Sequence, residues 1–350
     1  MSVKAKLLNA LGGIPDLLLL SIGEVIVRKS SLNRETYLRR LAFYAPERWH
    51  PEQNPFIYLP VEAPESELIE SRAFLSGRCD LFRYPSGYVP RNPEVREDFN
   101  SCAQNLWGYL HLWRHDDSSE RPLVLLIHGL MMGGPKKAQR MFRIKRLFSL
   151  GLDIALHTLP GHWRRSDDPI IQRLLDPADI PLTMERLAQN LHDLHSAQLL
   201  LKRMGYEKIG IIGASMGGFT AALYATQVMN GPDFMFLAVP AVAVTNYLKP
   251  KPGRFSFPID QEIIRATERA QEICSPLFLR PRFDVNRIKV VAHAGDRVCD
   301  ARQTRLWIQR WGIKDYIEVS GGHFLYLDKN ARGDAWYGLL RERGFIRTGL

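Results

Sequence analysis

The chain has 350 residues, 45% of them hydrophobic, 24% charged and 10% aromatic, a usage that excludes a disordered, collagen-like or disulfide-scaffold protein. Its length suits one large α/β domain with additions. Forty-seven basic against thirty-seven acidic residues leave a net charge of +10, which admits an anionic partner without choosing between nucleic acid, anionic lipid and acidic metabolite.

The four cysteines, Cys79, Cys102, Cys274 and Cys299, form no C-x-x-C pair. A zinc or redox motif is therefore not expected, and a reducing, cytoplasmic setting is. The apolar run at 17–20 looks superficially like a signal peptide, but Asp16 precedes it, Glu24 follows it, and no small-residue cleavage pattern appears. The stretch 7–27 is interrupted by both acids and makes a poor membrane span. It reads as an amphipathic helical segment, with peripheral membrane contact left open. Helix-like patterning continues to about Ala45, and prolines at 46, 51, 55, 60 and 64 then mark an extended connection. A helix is expected over 65–76, followed by the Pro- and Gly-rich "YPSGYVPRNP". Residues 1–100 are thus read as a mainly helical and extended N-terminal extension, and 101–350 as the main domain.

From residue 101 the texture changes. Trp107, Tyr109, His111 and Trp113 alternate as on one side of a strand, and "LVLLIHG" is a continuous apolar run of the kind buried on both faces. Strand-like segments then alternate with helix-like ones: helix 136–150, strand "LDIALH", helix 184–204, strand "KIGII", helix 219–229 and strand "FMFLAVP". Strand "IKVVAHA", helix 300–311 and strand "YIEV" complete the series. Such alternation builds βαβ units and a mainly parallel sheet, whose functional groups collect on loops at the carboxyl ends of the strands.

One such loop is Gly213-Ala214-Ser215-Met216-Gly217-Gly218, set between a strand and a helix. It fits G-x-S-x-G, a sharp turn that lifts the serine hydroxyl above the sheet edge, where the following helix N-terminus favours developing negative charge. A serine hydroxyl needs a base to take its proton. His323 in "VSGGHF", after the last expected strand, is the candidate. The base needs a carboxylate to set its tautomer, and Asp296 follows strand "IKVVAHA" and Gly295 directly. Asp300 competes, but it opens "DARQ" before a helix, and helix capping already explains it. Two backbone N–H groups are expected to receive the oxyanion: that of Met216, and that of Leu130 after His128-Gly129, with Met131 as an alternative to Leu130. His128 reads as a loop-positioning residue.

The chain resembles the α/β-hydrolase superfamily over roughly residues 101–350, through "HGL", "GASMGG", "GD" and "GGH", and more loosely its little-characterised alpha/beta hydrolase domain-containing branch. The resemblance implies an α/β-hydrolase fold with a mostly parallel eight-stranded sheet flanked by helices, and a serine triad. It implies no metal and no cofactor.

Other features divide between chemistry and structure. His192 and His195, three apart on a helix, lack a third metal ligand and read as a half-exposed structural pair. His162, Trp163, Arg164 and Arg165 lie on a strand-end loop within reach of a substrate. The helix at 136–150 turns Lys136, Lys137, Arg140 and Arg143 outward and Ala138, Met141, Phe142 and Ile144 inward. Residues 241–283 read as a lid whose Tyr247, Phe255, Phe257 and Phe278 shape an apolar pocket. The function expected is cleavage of a carboxylic ester by Ser215, His323 and Asp296, with a small-molecule ester or acyl substrate as partner. Acyl transfer or peptide cleavage on the same groups is the alternative. A non-catalytic basic binding protein is another, though no specific nucleic-acid signature supports it.

Overall fold

Continuous apolar runs need cover on both faces of a strand, and two core layers, one on each side of the sheet, supply it. The computed structural model describes residues 8–17, 29–50, 53, 55–117, 120–130, 132–167, 174–243, 248–250, 252–325 and 329–347. Its strands are β1 (Glu67–Phe74), β2 (Gly77–Pro85), β3 (Trp107–His115), β4 (Leu123–Ile127), β5 (Asp153–His157), β6 (Ile209–Ala214), β7 (Phe234–Ala238), β8 (Ile288–His293) and β9 (Asp315–Val319). They form one nine-stranded sheet in the order β1-β2-β3-β5-β4-β6-β7-β8-β9. From β5 to β9 every pairing is parallel, while β1, β2 and β3 join antiparallel at one edge.

The helix expected over 65–76 is instead strand β1. "ELIESRAF" has no strong strand composition, but it pairs with β2 from Glu67↔Arg83 to Phe74↔Gly77, and Ser71 Oγ donates to Asp80 Oδ1 at 2.5 Å. A partner strand supplies the hydrogen bonds that local propensity does not foretell. The sheet thus has nine strands rather than eight, and draws two of them from before residue 100.

Helices cover both faces: α1 (residues 8–17), α2 (Arg34–Ala42), α3 (Arg96–Asn100), α4 (Pro135–Met141), α5 (Ile144–Ser149), α6 (Ile180–Arg203), α7 (Met216–Ala225), α8 (Gln261–Gln271), α9 (Ala301–Trp311) and α10 (Lys329–Glu342). One core layer packs α6, α7 and α9 with the N-terminal segments, and the other packs α4, α5 and α10. The single helix expected over 136–150 is two, because Arg143 takes a left-handed conformation (φ 51°) between α4 and α5. Its inward and outward residues are as expected, with Ala138, Phe142 and Ile144 buried, Met141 half-buried, and Lys136, Lys137, Arg140 and Arg143 exposed.

The N-terminal chain docks on α6 through Glu185. This buried carboxylate accepts from Tyr44 Oη at 3.0 Å, Tyr88 Oη at 2.6 Å, and the backbone N–H of Arg91 at 3.0 Å and of Asn92 at 2.9 Å. Burial pushes its carboxyl up from the usual range, against the pull of those donors. In the segment 241–283, α8 lies against α2, where Tyr37 Oη meets Thr267 Oγ1 at 3.2 Å. The rings of Phe255 and Phe257 pack 5.1 and 5.7 Å from that of Tyr37, so both belong to this helix contact, and Phe278 is exposed. Tyr247 lies outside the described residues, as does most of the stretch 7–27. Among the described residues no helix is long and apolar enough to cross a membrane.

Candidate active site

Ser215 sits between β6 and α7 with φ 56° and ψ −115°, a conformation that costs a residue with a Cβ about 1–3 kcal/mol. Backbone bonds hold it there: its N–H donates to Ala238 O at 2.9 Å, and its carbonyl accepts from Phe219 N at 3.0 Å. The flanking glycines are required by contact. A Cβ at Gly213 would fall 2.3 Å from Gly217 O, and one at Gly217 would fall 2.0 Å from Ile127 O.

The three residues singled out in the sequence converge. His323 Nε2 lies 3.0 Å from Ser215 Oγ, and His323 Nδ1 lies 2.7 Å from Asp296 Oδ2. The other Asp296 oxygen accepts from Val298 N at 2.8 Å and Cys299 N at 2.6 Å, which fixes the carboxylate before the imidazole reaches it. Burial alone would depress the His323 pKa, but Cys299 and the hydrogen-bonded Asp296 outweigh it and hold the imidazole above its ordinary value of 6.5. Asp300 does the capping job: its carboxylate accepts from Arg302 N at 2.8 Å and pairs with the Arg302 guanidinium at 2.6 Å.

Asp296, Cys299 and His323 present donor atoms within 4.8 Å of one another, a spacing that a metal ion uses. Here, though, the Asp296–His323 pair is joined by a hydrogen bond and the second imidazole nitrogen faces Ser215. The arrangement suits proton movement between these groups.

Around Ser215 the backbone is close. A Cβ on Gly129 would come within 3.2 Å of Ser215 Cβ, so the loop after β4, which continues into Leu130, passes beside the serine turn. Met216 heads α7, where the first N–H groups of a helix have no intrahelical acceptor. Met131 lies outside the described residues. His128 is wholly buried and kept neutral by that burial; its Nδ1 pairs with Gly129 O at 2.8 Å and its Nε2 accepts from Leu159 N at 3.3 Å. One ring thereby ties the loop after β4 to the loop after β5.

The residues at 162–165 divide. His162 and Arg165 point inward: His162 Nδ1 meets Pro160 O at 3.0 Å, and Arg165 forms a wholly buried ion pair with Asp193 at 2.5 Å. Trp163 stacks on His128 at 4.4 Å between ring centroids, and Arg164 is exposed and pairs with Glu70. His192 packs edge-on against Tyr58 and Tyr88, and His195 bonds Tyr224 Oη. Among the described residues neither joins a cluster of three metal-binding groups.

Sequence reasoning missed the contribution of α1. Asp16, wholly buried, accepts through Oδ2 from Arg297 N at 3.0 Å and His323 N at 2.8 Å, and through Oδ1 from Phe324 N at 3.3 Å. Asn9 Oδ1 accepts from Gly321 N at 2.9 Å, and a Cβ on Gly12 would sit 2.3 Å from Gly322 N. The helix therefore clamps the two loops that carry Asp296 and His323. A signal existed: Asn9, Gly12, Gly13 and Asp16 recur at i, i+3, i+4 and i+7, one helix face of polar and small residues. That face is the buried one, and Leu11, Ile14 and Leu17 are exposed.

No protein-family model matches the chain. An uncharacterised protein of Mycobacterium tuberculosis strain H37Rv is 27% identical over 290 residues, which cover 81% of this chain and 68% of that one. Acetyl xylan esterase 1 from Thermoanaerobacterium sp. JW/SL YS485 superposes with a TM-score of 0.51 at 14% identity, over 90% of this chain and 95% of that one. Oligopeptidase B from Leishmania major superposes with a TM-score of 0.46 at 13% identity, over 68% of this chain and 34% of that one. The chain spans about a third of that peptidase's length. Sheet order, the strand–serine–helix turn and the esterase superposition agree on one architecture. The chain has the α/β-hydrolase fold.

Proposed function

We propose that the protein is a serine hydrolase that cleaves a carboxylic ester. The observation that carries this reading is the unbroken chain of hydrogen bonds from Asp296 through His323 to Ser215, at 2.7 and 3.0 Å. Ser215 Oγ attacks the ester carbonyl as its proton passes to His323 Nε2, and Asp296 stabilises the imidazolium from the far side. The N–H groups of Met216 and Leu130 receive the oxyanion, each worth about 3 kcal/mol in the transition state. The imidazolium then returns its proton to the leaving alcohol. Water, deprotonated by the same nitrogen, releases the acid from the acyl-enzyme. Phe324, exposed with its ring 4.8 Å from that of His323, and Leu325 beside it offer an apolar rim to an acyl or alcohol portion.

A fluorophosphonate probe tests the nucleophile. The parent protein is expected to be labelled and Ser215→Ala not, with circular dichroism unchanged; undiminished labelling of the variant overturns the assignment. Turnover of p-nitrophenyl esters of increasing length, set beside matched amides and alcohol acceptors, separates ester hydrolysis from peptide cleavage and acyl transfer.

A further inference from the structure

A cavity of about 660 Å³ lies apart from the Ser215 turn, between β1, β2 and β3 on one side and the loop entering α4 on the other. Neither Ser215, Asp296 nor His323 lines it. Two properties set it off from an ordinary surface hollow.

The first is charge. Arg72, Lys136, Lys137, Arg140 and Arg164 line the cavity against one carboxylate, Glu70. Glu70 is shared by two of them, bonding Arg72 at 2.8 Å and also pairing with Arg164. Lys136, Lys137 and Arg140 have no carboxylate partner among the described residues. Cations gathered without counter-charge repel one another, and a bound anion relieves that cost.

The second is an aromatic wall. Phe74, Tyr109, His111, Trp113 and Trp163 contribute to the lining, and the rings of His111 and Trp113 stack at 5.9 Å between centroids. Trp113 is wholly buried and backs this wall behind His111. Burial keeps His111 neutral near pH 7, so it offers a hydrogen bond and no charge.

We propose that this cavity is a second ligand site, which takes a small aromatic organic anion, its ring against His111 and Trp163 and its carboxylate or phosphate at the rim formed by Lys136, Lys137 and Arg140. Flat rings favour offset or edge contact with aromatic side chains, and an anion desolvates well against lysine and arginine donors. The site also reaches the candidate active site. Trp163, one wall of the cavity, stacks on His128, and His128 holds the loop that carries Leu130.

The test uses the full-length Ser215→Ala protein, so that no probe is turned over. Phenyl phosphate and benzoate are titrated by calorimetry and by tryptophan fluorescence, beside inorganic phosphate and benzyl alcohol. At least one aromatic anion is expected to bind with a Kd below about 1 mM, and inorganic phosphate and benzyl alcohol at least about tenfold more weakly. Lys136→Glu combined with Arg140→Glu, both at exposed positions, is expected to weaken the aromatic anion about tenfold or more with circular dichroism unchanged. The proposal is overturned if neither aromatic anion binds with a Kd below about 1 mM. It is equally overturned by an affinity that the double variant leaves unchanged, or by inorganic phosphate or benzyl alcohol binding as tightly as the aromatic anions.

Discussion

Replacing Asp16 by alanine removes a carboxylate that touches no part of Ser215 but accepts three N–H groups from the loops bearing Asp296 and His323. Hydrogen bonds to a charged acceptor contribute about 1.5–3 kcal/mol each. The two short ones, at 3.0 and 2.8 Å, thus represent about 3–6 kcal/mol of loop positioning, less whatever water restores in the space vacated. A displacement of about 1 Å in a reacting group costs about 100-fold in rate. Asp16→Ala is accordingly expected to lower kcat on a p-nitrophenyl ester about 100-fold with KM nearly unchanged, and to slow fluorophosphonate labelling to the same extent. Asp16→Asn keeps an acceptor for Arg297 and His323 but turns an amide toward Phe324 N–H, so its activity should fall between parent and alanine variant. Circular dichroism separates positioning from folding. Turnover of Asp16→Ala within about twofold of the parent, or a loss of native signal that parallels the loss of rate, would refute the reasoning.

The pH dependence follows from His323. Only the neutral imidazole accepts the serine proton, and its pKa is held above 6.5, so kcat/KM should rise with pH along a limb lying above that value. Asp296→Asn removes the negative charge beside His323 Nδ1 and should move the limb downward while cutting kcat about 10⁴-fold, the loss a triad shows when its carboxylate goes. The same raised pKa stabilises the fold below the unfolded value near 6.5, and that contribution disappears as pH climbs through the folded value. Glu185→Ala strands four donors that tie the N-terminal chain to α6 and is expected to lower the unfolding free energy by about 3–5 kcal/mol. Urea denaturation measures that loss, and faster proteolysis within residues 46–95 localises it.

The candidate site was legible where chemistry and local geometry coincide. Gly213 and Gly217 announce a turn in which a Cβ would strike the backbone, and a serine, an acid and a histidine each follow a strand-length apolar run. Asp300 was distinguishable from Asp296 for a local reason too, since a helix N-terminus consumes its carboxylate. The helix mistakenly expected over 65–76 and the unbroken helix over 136–150 failed on non-local grounds. Strand β1 exists because β2 is beside it, and Arg143 breaks the run where α4 ends and α5 begins.

Residue order alone therefore carried the parallel α/β sheet and the three side chains at its carboxyl edge, because buried-strand periodicity and a strained serine turn are properties of short segments. Which acid steadies those side chains depended on the folded chain: Asp16 lies 281 residues from Arg297 and 307 from His323. Hydrogen bonds across such separations leave no spacing to read. They exist only once packing has brought a polar helix face against two distant loops, and packing is a property of the whole molecule.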